Sequence, residues 1–203
     1  MEPIKTDNSY LKDKMLLRAE HLPPGDVKVL DCFCGQGVLW RGVQKITDRK
    51  IDTLPIDTRD DIDFFHLAGN NADFLLTLDL SRFNVIDLDA YGVPYDQLKI
   101  LFERGYKGVV FVTFIGFALG SINNNVLNDI GFTDEMIRKI PTLFCKRGWE
   151  YFLQWLALNG VTEITHRSKQ DHAMNKHYLT FSCAEESAEG YNNRVSKRAV
   201  SRA

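Results

Sequence analysis

The chain has 203 residues, 44% hydrophobic and 26% charged, with a formal net charge of -2. That is enough length for one domain with a full core and too little for two comfortable ones. The small net charge excludes a whole-surface attraction to nucleic acid or anionic lipid and leaves local basic patches open. No run approaches the roughly 20 apolar residues of a membrane helix, and the first residues, MEPIKTDNSYLKDK, lack the apolar centre of a signal peptide. The four cysteines include a close pair, Cys32 and Cys34, and do not read as a secreted disulfide framework. A reduced, cytoplasmic protein is expected.

Short apolar runs alternate with helical patterns along the chain. Asn8 or Ser9 is expected to cap a helix reaching residue 19, with Tyr10, Leu11, Met15, Leu16 and Leu17 on its apolar stripe. Pro23-Pro24-Gly25-Asp26 stops it. Residues 27–30 (VKVL) form a buried-type strand, 38–46 a helix, 52–56 a weaker strand, 63–68 a third strand and 72–80 a helix. A strand at 84–88 (NVIDL), a helix at 95–104 and the strongest strand, 108–115 (GVVFVTFI), come next. One or two helices fill 133–158, and 161–165 with 177–183 make an antiparallel closing pair.

This alternation predicts an α/β, doubly wound sheet within one domain, residues 1–183. Residues 184–203 are polar, end in Arg194, Lys197, Arg198 and Arg202, and are expected to be a disordered, solvated tail. One connection resists the pattern. Residues 57–63 are too few for a parallel crossover, which normally needs about a dozen.

The stretch VKVLDCFCGQG, residues 27–37, sits where the first strand of such a sheet delivers its loop to the ligand crevice. Gly35 and Gly37 let the backbone turn sharply and approach a ligand closely. A dinucleotide fingerprint needs a third glycine, but Trp40 stands there. Instead Asp31 precedes the glycines in a D-x-x-x-G-x-G pattern. This pattern resembles the first motif of class I S-adenosylmethionine-dependent methyltransferases.

The resemblance implies a mostly parallel, seven-stranded, Rossmann-like sheet with an antiparallel last strand. It implies a cofactor cradle from Asp31, Cys32, Phe33, Gly35 and Gly37, with Asp57 at the second strand end for the ribose hydroxyls. Asn70 stands where the family often carries an acid that contacts the adenine amino group. Its amide oxygen can accept the same hydrogen bond without charge.

A second constellation is Asp89-Ala90-Tyr91-Gly92, after the strand 84–88. It is similar to the loop of amino-group methyltransferases, and residues 27–114 resemble the tRNA N2,N2-dimethylguanosine methyltransferases. In that likeness Asp89 holds the acceptor amine and Tyr91 stacks on the base. A side-chain oxygen that accepts an amine hydrogen draws the nitrogen toward tetrahedral geometry and aims its lone pair. Ala90 replaces the family's proline, and the family's large RNA-binding C-terminal domain has no counterpart among these residues.

Other chemistries fit less well. The loop after the strand 84–88 holds no cysteine for C5 methylation of cytosine. Asp87 lies inside the strand, which disfavours a metal cluster for O-methylation. No metal is expected, since His166, His172 and His177 match no usual ligand spacing. Arg138, Lys139, Lys146 and Arg147, and again Arg167, Lys169 and Lys176, are either phosphate-holding flanks or ordinary solvated surface.

The expected activity is methyl transfer from S-adenosylmethionine to a ring amino group of RNA or DNA. A small-molecule or protein methyltransferase, and a non-catalytic binding domain on the same fold, remain open. The oligomeric state has no signature in the sequence.

Overall fold

The computed structural model describes residues 10–117, 123–140, 147–171 and 174–183. Asn8, Ser9, Lys146, His172 and the tail 184–203 lie outside the described residues, so the expectations placed on them do too.

The elements run α1 (Leu11–Glu20), β1 (Val27–Asp31), α2 (Val38–Thr47), β2 (Ile51–Asp57), β3 (Leu67–Ala68) and α3 (Asn71–Thr77). A 3₁₀ turn (Leu80–Arg82) leads to β4 (Val85–Leu88), α4 (Tyr95–Glu103) and β5 (Gly108–Phe117). Then come α5 (Asn124–Asp129), α6 (Asp134–Lys139), α7 (Gly148–Leu158), β6 (Thr165–Asp171) and β7 (Met174–Cys183). They build a 7-stranded sheet in the order β3-β2-β1-β4-β5-β7-β6. Its first five strands are parallel, and β7 runs antiparallel between β5 and β6.

Each face of the sheet carries its own core, because side chains alternate along a strand. Val27, Val29, Val85 and Phe111 meet Trp40 and Val43 of α2, with Met15 of α1 alongside. On the opposite face Leu30, Ile86, Leu88, Val110, Val112, Leu179 and Phe181 meet the helices α3, α4, α5 and α7. Phe152 and Trp155 of α7 are among the most deeply buried side chains there.

Three expectations change. The third strand shrinks to two residues, and the connection 58–66 has no helix. It folds on itself instead: Ile62 is buried, and the His66 ring nitrogens meet the carbonyls of Phe64 and Arg59 at 3.1 and 2.8 Å. A strand this short at the sheet edge can be reached by a loop. The expected strand at 161–165 is a helix exit, where Val161 N donates to Leu156 O and Val161 packs into the core. The true β6, THRSKQD, has no apolar alternation because it is the last strand, held by its antiparallel ladder to β7. Finally, α5 went unread although Asn123 caps it by accepting from Asn125 N. Its Asp129 accepts from the Tyr95 hydroxyl and the Trp155 indole at 2.8 and 3.0 Å.

Candidate functional site

Strand β1 connects to β2 on one side, and β4 to β5 on the other, so the chain diverges between β1 and β4. That divergence opens a crevice at the carboxyl ends of the strands. A cleft of about 220 Å³ lies there, lined by Asp31, Phe33, Gly35, Asp57, Arg59, Asp89 and Tyr91 among others. The likeness to the class I motif therefore brings six of its nine expected residues to one cavity: Asp31, Phe33, Gly35, Asp57, Asp89 and Tyr91.

The turn after β1 is built by its glycines. Gly35 and Gly37 have φ of 50° and 64°, the left-handed region that costs an ordinary residue about 1–2 kcal/mol. Gly35 N donates to Asp57 Oδ2 at 2.9 Å, and Cys34 N donates to Ile56 O at 3.1 Å, which ties the turn to the end of β2. Asp57 Oδ1 accepts from Arg59 N at 3.1 Å. A Cβ on Gly37 would stand 3.0 Å from both Arg41 Nη1 and Phe64 Cζ. Gly37→Ala is expected to cost about 1–2 kcal/mol, read as a lower midpoint in urea denaturation.

The other three expected residues serve the frame. Gly37 does not line the cavity; it is the left-handed N-cap of α2. Cys32 is fully buried, donates from its amide to Asp87 O, and accepts on its carbonyl from Asn71 Nδ2 at 2.8 Å. Asn70 caps α3, its side-chain oxygen accepting from Ala72 N at 3.0 Å, and does not reach the cavity. The buried neighbour Asn71 is the linking residue, since its Oδ1 also accepts from Gln97 Nε2 at 2.8 Å.

Neither thiol of the C-x-C pair is a nucleophile near neutral pH. Burial, then Asp31 and Asp57, pushes Cys34 up to about 12, and burial with Asp31 and Asp87 raises Cys32 as well. Among the described residues no group of three or more His, Cys, Asp or Glu could hold a metal ion.

The network under the cleft was not read from the sequence. Asp31 and Asp87 are register partners on neighbouring strands, and Asp89 follows Asp87 by one strand repeat. Helix α1 lays Arg18 and Lys14 over them. Arg18 donates to both Asp87 oxygens, at 2.7 and 2.6 Å, with both side chains buried. Lys14 Nζ lies 2.8 Å from Asp89 Oδ1 and 3.0 Å from Oδ2, and Thr113 Oγ1 donates to Oδ1.

The spacing explains the match. Two strand residues span about 6.6 Å and four helical residues about 6 Å. Cations at i and i+4 on a helix therefore register with acids two apart on a strand. The only signal in the sequence was that pair of cations on one helical face.

The three carboxylates face only two cations. Asp31 is the one left over: it is 3% exposed, and its Oδ1 has no hydrogen-bond partner. Burial, then Asp87 and Asp89, raises its pKa well above the ordinary value. Asp89 goes the other way, held below the ordinary carboxylate value by Lys14 and Arg18 despite its burial. It lies ionised at the cleft wall beside Tyr91, which is 58% exposed.

Four cations of the two basic clusters are engaged in ion pairs. Lys139 pairs with Glu135, Arg147 with Glu150, Arg167 with Glu20 and Lys169 with Asp13. Among the described residues no helix is long and apolar enough to cross a membrane.

No protein-family model matches the chain, and no curated protein matches it. Solved structures do. Trm1 from Pyrococcus horikoshii in complex with S-adenosyl-L-methionine superposes with a TM-score of 0.53 at 11% identity, over 90% or more of this chain (92%) and 58% of that one. Cofactor-bound Rv0187 from MTB gives 0.52 at 11% identity, covering 90% of this chain and 83% of that one. Haemonchus contortus phospholethanolamine N-methyltransferase 2, in complex with phosphomonomethylethanolamine and S-adenosylhomocysteine, gives 0.50 at 9% identity, covering 84% and 52%. This chain thus spans little more than half the length of the first and last of these. With its strand order and antiparallel β7, it has the fold of the class I S-adenosylmethionine-dependent methyltransferases.

Proposed function

We propose that the protein is an S-adenosylmethionine-dependent methyltransferase acting on an exocyclic amino group of a nucleic-acid base, in RNA or DNA. One observation carries the reading. Asp31, whose buried carboxylate oxygen Oδ1 has no partner, lines the same cleft as the ionised Asp89 at the end of β4.

The cleft residues fit the cofactor. When bound, S-adenosylmethionine supplies an electrophilic methyl group on a sulfonium. Asp31 would hold its α-ammonium, which would supply the third cation that the network lacks. The Gly35 turn would let the methionine backbone approach closely, and Phe33 would offer it apolar surface. Asp57 keeps lone pairs beyond its two backbone hydrogen bonds for ribose hydroxyls. On the acceptor side Asp89 accepts an N–H and holds the nitrogen in line, while Tyr91 stacks on the ring. The free, buried thiols Cys32, Cys34 and Cys183 support a reduced, cytoplasmic setting.

The test is transfer of a labelled methyl group to tRNA, single-stranded DNA and free nucleosides. Asp89→Asn is expected to lower transfer ~10²-fold while calorimetric affinity for S-adenosylhomocysteine stays within about threefold. An Asp89→Asn enzyme of undiminished activity would remove the amine-holding role. The paired surface cations favour a second reading, a small-molecule acceptor, which predicts transfer to nucleosides and none to the polymers.

A further inference from the structure

We propose that Lys14 sets the charge class of the acceptor, admitting neutral, weakly basic ring amines and turning away protonated aliphatic amines. The inference rests on the reading of Asp89 as the residue that holds the acceptor nitrogen, and it names the substrate class of that same site.

The argument begins with the lone pairs of Asp89. A carboxylate offers about four acceptor positions. Lys14 takes one on each oxygen, at 2.8 and 3.0 Å, and Thr113 takes the second on Oδ1. One position is left, on Oδ2. The acceptor therefore gives a single N–H to Asp89.

Charge then decides which nitrogen can give it. The Asp89 charge is already met by Lys14 and the Asp87 charge by Arg18, so Asp89 itself offers an incoming cation no unmet charge. Leu11 and Ile115 add apolar surface to the cleft lining. An alkylammonium entering there sheds its hydration shell and meets the Lys14 ammonium at short range, where like charges repel strongly. An aromatic amine is neutral, because its lone pair is delocalised into the ring, and meets neither cost. The Lys14 side chain is 7% exposed. Helix α1 cannot draw it away, since Arg18, one turn on, is fixed by two short hydrogen bonds to Asp87.

The experiment is a titration of the full chain with ethylammonium chloride, followed by NMR shift perturbation, in the absence of cofactor. The wild type is expected to show no binding that depends on Asp89; this criterion sets aside any ion that settles on Asp31. Lys14→Met, which keeps length and removes charge, is expected to bind ethylammonium about tenfold or more tightly than the wild type. Lys14→Met/Asp89→Asn is expected to lose that gain, and Lys14→Arg to exclude the ion as the wild type does. If Lys14→Met does not fold, Lys14→Gln takes its place.

Wild-type binding of ethylammonium that Asp89→Asn removes would overturn the proposal. So would a folded, neutral Lys14 variant that binds no better than the wild type. Failure of the methyltransferase reading would show separately, as no calorimetric binding of S-adenosylhomocysteine.

Discussion

Replacing Asp31 with asparagine is expected to stabilise the ligand-free protein and to weaken its hold on S-adenosylhomocysteine by roughly 10–100-fold. The two effects have one origin. Asp31 is buried, its Oδ1 is unpartnered, and it faces Asp87 across the strand register. Its native pKa is raised, so its favourable contribution is complete below the ordinary carboxylate value and is lost as pH rises from there through the raised one. The wild type should therefore lose stability relative to Asp31→Asn as pH climbs from the ordinary carboxylate range toward neutral. A rise in melting temperature of roughly 3 °C or more is expected for the variant near neutral pH, vanishing in acid. Scanning calorimetry at several pH values and isothermal titration with S-adenosylhomocysteine read the two halves. A variant that is both less stable and equally tight in binding would refute the cofactor-ammonium role. The physical picture is a site that tolerates a buried acid without a counter-ion because its ligand brings the cation.

Arg18→Met is expected to cost about 3–5 kcal/mol of folding stability, since it leaves Asp87 buried without its counter-ion. The pair is closed to solvent, with side chains 1% and 0% exposed, so water cannot take over the vacated hydrogen bonds. The guanidinium also lies over the Phe111 ring, 5.3 Å from its centroid, and that contact goes too. Arg18→Met/Asp87→Leu should recover most of the loss, because a well-packed apolar pair of similar volume often matches a buried ion pair. Chemical denaturation of the single and double variants decides the matter. If the double variant is as unstable as the single one, the cost lies in packing rather than in the orphaned charge. A subtler consequence concerns the cleft. Without the Arg18 anchor, α1 holds Lys14 on Asp89 less firmly, so the exclusion of ethylammonium should weaken in the double variant.

These two expectations rest on residues that the sequence displays without explaining. The glycine turn was legible because it is local: an apolar strand, an acid and two glycines, within residues 27–37, turn sharply only one way. The strands of the sheet centre were legible for a similar reason. Strand β5 reads as a long apolar run, and β1 and β4 as short apolar stretches broken by Lys28 and Asp87. The sheet's margins did not announce themselves. Strand β6 is polar along its length and owes its form to the ladder with β7, while β3 is held by two register partners of β2. Asn70 caps α3 while its neighbour Asn71 is buried, a division of labour that two adjacent amides do not show in sequence.

Within the cleft the division follows separation along the chain. Asp31, Gly35, Asp57, Asp89 and Tyr91 each end a strand or begin its loop, and the order of strands alone sends them to one side of the sheet. Which of those acids is paired, ionised or left with an open oxygen is a different matter. Lys14 reaches Asp89 across 75 residues and Arg18 reaches Asp87 across 69, and no local period encodes such a contact. Only the docking of α1 on the strand ends decides it, because ion pairing depends on distance and burial rather than on neighbours in sequence.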